Sequence, residues 1–131
     1  MSRAALAAVL AAALTAALAA GCGAGAPAAP VPAGPPVSEL RIGLQEYRFQ
    51  LSAGTLRPGP VEVVVTNAGS TAHDVRLLQG EQQLAASDVL PPGGRQTLQL
   101  EVAAGAPVLL DCTLRGHAEA GMTASLAVAD S

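Results

Sequence analysis

Beyond Ser38, polar and apolar residues alternate along most of the chain. In "RQTLQLEV" (95–102), Leu98, Leu100 and Val102 fall on one face of an extended chain, and Thr97, Gln99 and Glu101 on the other. "ELRIGLQ", "YRFQL", "VEVVVTN", "DVRLLQ", "PVLLDC" and "TASLAVA" are further short β runs. The segments between them, "AGTLRPGP", "AGSTA", "LQGEQ", "LPPGGR" and "AAGAP", are rich in Gly, Pro or small polar turn formers. No stretch sustains a helical period. The pattern predicts an all-β domain, a Greek-key sandwich of about seven or eight strands. Tyr47 and Phe49 are the only aromatic residues. Two apart on one strand, they share a face, and both are expected to help fill a core made mainly of Val, Leu and Ala.

The pattern fails in the first 37 residues, which divide in two. Residues 4–20 are an Ala/Leu run after a single Arg3. The run is short and Ala-rich for a membrane span and is flanked as a secretory signal is, so the protein is expected to be exported. "LAAGC" (18–22) resembles the lipobox of bacterial lipoproteins, in which the cysteine, here Cys22, is acylated and becomes the mature N-terminus. Ala19 stands where most lipoboxes carry Leu. A plain signal peptide cut after a small-x-small triplet and an uncleaved anchor are the alternatives. Residues 23–37, "GAGAPAAPVPAGPPV", carry no charge and many prolines and read as a semi-extended spacer. The expected organisation is thus a lipoprotein signal peptide (1–21), a lipidated Cys22 with its tether (22–37), and one domain (38–131). That places the domain on a membrane surface, periplasmic or extracellular.

The chain has no Lys, and its 7 Arg stand against 10 acidic residues, for a net charge of −3. That balance excludes a nucleic-acid partner of the usual basic kind. Scarcity is more informative. There are 2 His, 2 Cys and 2 Met. Without Met1 and Cys22, what remains is His73, Cys112, His117 and Met122. On a continuous strand Cys112 and His117 would point to opposite faces, so they converge only if the chain turns between them. Gly116 and Gly121 permit such turns. One thiolate, two imidazoles and a thioether suit copper better than zinc, for which Met is a poor fourth ligand, and exclude calcium and magnesium, which take oxygen ligands. Taken singly, Cys112 reads as a buried thiol or the partner of Cys22 in a disulfide, each His as a hydrogen-bonded histidine, and Met122 as core filling. A Cys/His nucleophile pair is the enzymatic alternative, but the sequence offers it no orienting group or oxyanion donors.

The segment "DCTLRGHAEAGM" (111–122) resembles the ligand loop of the cupredoxins, the small blue copper proteins, with a Cys-x4-His-x4-Met spacing similar to that of auracyanin and rusticyanin. "NAGSTAHD" (67–74) resembles the family's first-ligand segment. The resemblance implies His73, Cys112 and His117 as equatorial ligands of one type 1 copper ion and Met122 as the axial one. Asp74 stands where Asn is common, and Leu110 where an aromatic is frequent. It further implies a monomeric one-electron carrier, not an enzyme, that docks with a redox protein donor and acceptor at the edge of His117. Leu114, Ala118 and Ala120 would contribute to an apolar patch there, and Arg115 would be a solvated loop charge. A copper-binding or copper-delivery protein and a cupredoxin-like interaction module are the alternatives.

Overall fold

The computed structural model describes residues 29–131. The signal read in residues 1–21, Cys22 and the first part of the spacer lie outside them. Among the described residues the regular structure is entirely β. The strands are β1 (Glu39–Gln45), β2 (Arg48–Leu51), β3 (Thr55–Leu56), β4 (Gly59–Asn67), β5 (Arg76–Gln79), β6 (Gln82–Ala86), β7 (Arg95–Val102), β8 (Val108–Asp111) and β9 (Thr123–Val128). They form two sheets, ordered β2-β1-β4-β7 and β3-β9-β8-β5-β6. β1 runs parallel to β4, and β3 parallel to β9; the other neighbours are antiparallel. The chain passes repeatedly from one sheet to the other, so each sheet is built from distant segments, and the result is a β-sandwich.

Alternation decides the packing. Leu40, Ile42 and Leu44 of β1 point inward beside Val61, Val63 and Val65 of β4, all at 1% exposure or less, while Glu39, Arg41 and Glu62 face water. From the opposite sheet Leu77, Val108, Leu110 and Leu126 close on the same core. Each such side chain stabilises the fold by about 1.5–3 kcal/mol through removal of apolar surface from water. Leu110 is 1% exposed and fills the core.

Two strands have no counterpart among the sequence runs. β3 is a two-residue contact that ties Leu56 to Val128, too short to show a period. β6 pairs with β5 through a hairpin whose register shifts between Leu77 and Leu78, and its half-buried residues, Leu84 and Ala85, are adjacent and do not alternate. Tyr47 also departs from expectation. Phe49 is buried, but Tyr47 is 45% exposed and outside the core. It occupies the two-residue turn between β1 and β2 with φ 60°, the only positive φ at a non-glycine among the described residues. A turn residue leaves the pleat, so the strand's alternation does not apply to it. That conformation costs a side chain of this kind about 1–3 kcal/mol.

Because β1 and β4 are parallel, the β1–β2 turn and the β4–β5 connection emerge at the same end of the sandwich. The β6–β7 and β8–β9 connections meet them there, as the Leu90–His73 bridge and the Tyr47–His117 contact show. All four candidate ligands sit on these loops or at their junctions with strands. Leu40→Ala, in the centre of this packing, is expected to lower the unfolding free energy by about 2–5 kcal/mol in urea titrations, through lost burial and the cavity left behind.

Candidate metal centre

The first ligand segment folds around one buried side chain. Asn67, the last residue of β4, is 1% exposed. Its amide nitrogen donates to Thr71 O and Leu90 O, both at 2.8 Å, and its Oδ1 accepts from the Gly69 amide at 2.9 Å. Its main chain is bonded to Gly93 and Gly94 of "LPPGGR", the predicted turn, which is thereby held at the same end. His73 then exchanges both main-chain hydrogen bonds with Leu90, at 3.1 and 2.8 Å. The His73 ring is fully buried.

The second segment leaves β8 at Asp111 and returns into β9 at Thr123. His117 N donates to Leu114 O, Met122 N to His117 O and Cys112 N to Met122 O, so the loop folds back on itself twice. Gly116 (φ 83°) and Gly121 (φ 110°) supply the turns. At the root of the loop Arg76 grips Asp111 with two hydrogen bonds, 2.9 and 2.5 Å.

Asp74 joins the two segments. Its Oδ1 accepts from the Thr113 amide at 2.7 Å and its Oδ2 from the Thr113 hydroxyl. An aspartate accepts both bonds with no donor of its own, so the residue after the first histidine links the ligand loops as a pure acceptor.

The three side chains meet. His73 Nδ1 and His117 Nδ1 are 3.2 Å apart, and Cys112 Sγ is 3.5 Å from His117 Nδ1. One donor atom from each of the three lies within 4.8 Å of the others. Met122 is fully buried, with its main chain bonded to both Cys112 and His117. Arg115 is exposed on the loop.

The donor set fits a soft or borderline metal. The carboxylates that come near, Asp74 and Glu46, are taken up by Thr113 and by Ser70 and Thr71, so hard oxygen coordination has no supply here. Burial pushes the Cys112 thiol above its usual range. Uptake of a divalent ion at neutral pH would therefore have to displace a proton from Cys112.

Glu46 and Tyr47 complete the surroundings, and sequence reasoning missed both functions. Glu46 is distant from His73 in sequence, and the parallel β1–β4 pairing brings the two together. The Glu46 carboxyl is held down, from 4.5 to about 2, first by the Ser70 backbone amide it accepts from.

Among solved structures, an auracyanin from Roseiflexus castenholzii superposes with a TM-score of 0.67 at 18% identity, over 72% of this chain and 99% of that one. The fold is cupredoxin-like. Auracyanin A of Chloroflexus aurantiacus, a "blue" copper protein, superposes at 0.55 and 17% identity over 72% of this chain and 99% of its own. Rusticyanin from Thiobacillus ferrooxidans does so at 0.55 and 18% identity, over 70% and 78%. No protein-family model matches the cupredoxin-like chain, and no curated protein matches it. The likeness lies in architecture, with few residues in common.

Two outcomes follow for this end of the sandwich. Asn67→Ala removes the side-chain partner of the Thr71 carbonyl and the Gly69 amide, leaves Leu90 O with only the His73 amide, and is expected to cost about 2–4 kcal/mol in chemical unfolding of the metal-free protein. Glu46 contributes stability above 4.5 that is lost as the pH falls through about 2, because its folded value is depressed. The stability difference between wild type and Glu46→Gln should hold steady above pH 4.5 and close towards pH 2 in acid titrations followed by circular dichroism.

Proposed function

We propose that the protein is a type 1 copper protein that carries single electrons between redox partners and is tethered to a membrane through a lipid on Cys22. The observation that carries this reading is the convergence of His73 Nδ1, Cys112 Sγ and His117 Nδ1 at one buried point, with Met122 packed in the same loop. Bound there, copper supplies a one-electron Cu(II)/Cu(I) couple.

The chain's own residues account for the rest. Cys112, buried at the end of β8, gives up its proton to become the thiolate ligand. His73 is sealed inside, and Asn67 and Leu90 fix its position. His117 alone among the four is only half-buried, which makes it the natural route for an electron between the site and the surface. Half-buried Leu114 and Ala118 and exposed Ala120 lie on the same loop as His117 and suit brief, weakly polar docking. The four side chains leave no evident ligand position for a substrate, which favours a carrier over an enzyme. A lipidated Cys22 followed by a Pro-rich spacer would hold this end within reach of membrane-bound partners, on the periplasmic or extracellular face.

Adding Cu(II) to the metal-free protein is expected to give an intense visible thiolate-to-copper band at one copper per chain, absent in Cys112→Ser. Metal content is measured first, so that zinc carried through purification is not mistaken for an empty site. Stoichiometric copper without the band would favour copper storage or delivery, and no copper binding would refute the site.

A further inference from the structure

The turn between β1 and β2 contributes no ligand, yet both of its residues face the ligand set. Glu46 Oε1 accepts from the Ser70 amide at 2.6 Å, the Ser70 hydroxyl at 3.0 Å and the Thr71 amide at 3.2 Å. The same atom lies 3.6 Å from His73 Nε2, which also meets the Thr71 hydroxyl at 3.2 Å. Space for this approach exists because residue 69 is glycine. A Cβ there would come 2.7 Å from Glu46 Oε1 and 3.1 Å from His73 Nε2. A bare Nε2 lone pair would be repelled by the carboxylate, so the proton belongs on Nε2, and the lone pair on Nδ1 faces Cys112 and His117.

Its neighbour serves the other histidine. Tyr47 stands edge-on to His117, with ring centroids 5.4 Å apart and an interplanar angle of 78°. It does so from φ 60°, a conformation glycine adopts without strain. A turn selected for the hairpin alone favours Gly, Asn or Asp at such a position.

We propose that the Glu46–Tyr47 turn is a positioning element for both imidazoles: Glu46 fixes the tautomer of His73, and Tyr47 braces the ring of His117. This rests on the copper reading for its redox consequence, but not for its geometry. The carboxylate favours the more highly charged oxidation state, so replacing it by a neutral amide of the same shape raises the reduction potential.

The test begins on the metal-free protein with nitrogen-15 NMR of the histidine rings. Wild type and Glu46→Gln should show His73 as the Nε2–H tautomer, and Glu46→Ala should show a mixture. Tyr47→Gly should broaden the His117 ring signals while the thermal midpoint holds or rises, because the turn loses strain along with the brace. After copper loading, Glu46→Gln should disfavour Cu(II) relative to Cu(I) by about tenfold, a positive shift of ~59 mV. A pure His73 tautomer in Glu46→Ala with an unmoved potential in Glu46→Gln would overturn the role of Glu46. A lowered midpoint with unchanged His117 signals in Tyr47→Gly would reduce Tyr47 to a fold residue. If wild type takes up no copper, the copper reading fails, and the ring signals alone decide the role of the turn.

Discussion

The amide of Asn67 is buried at the mouth of the sandwich, and the geometry of that end depends on its hydrogen bonds being complete. Its side chain holds Gly69, Thr71 and Leu90, and its main chain holds Gly93 and Gly94. Leu90 in turn fixes His73 by a reciprocal pair of main-chain bonds. A buried polar group left unpaired costs more than a made bond contributes, so this network favours one arrangement of the loop over all others. Asp74 extends it to Thr113 and thereby to the second ligand segment. Two polar side chains thus bring together loops that lie far apart in sequence.

The consequence is a site assembled by the protein. Each ligand segment has its own backbone bonds, and the strands that carry them are packed by Leu40, Val63, Leu110 and their neighbours at almost no exposure. A carrier of electrons benefits from this because ligands that scarcely move between oxidation states contribute little to the barrier for transfer. Under the proposed electron-carrier reading, the half-buried His117 and the burial of His73, Cys112 and Met122 would confine electron exchange to one face. The strained Tyr47 and the carboxylate of Glu46 stand at that same end, where local strain and fixed charge commonly accompany function.

Much of this was legible in the sequence. Alternation in "RQTLQLEV" and "VEVVVTN" placed the inward residues of β7 and β4, and the scarcity of His, Cys and Met singled out the residues that converge. Gly116 and Gly121 were read as the turns of the loop, and both have positive φ. What was not legible has a common cause. β3 is held by two residue pairs, β6 is a marginal edge strand, and Glu46 reaches His73 through a parallel pairing that no local pattern encodes. The exposure of Tyr47 escaped a period-two reading because the chain turns at that residue. Asp74 was seen as a departure from the usual Asn, but its bonds to Thr113 required the fold.

The central claim is that the folded sandwich, and not the ion, sets the ligand positions. Hydrogen exchange on the metal-free protein addresses it directly, at the amides of His73, Cys112, His117 and Met122. Protection of these four amides before any metal is added, with little further gain on copper binding, is the predicted result. Exchange at the rate of an unfolded chain in the metal-free protein, with protection appearing only with copper, would contradict it.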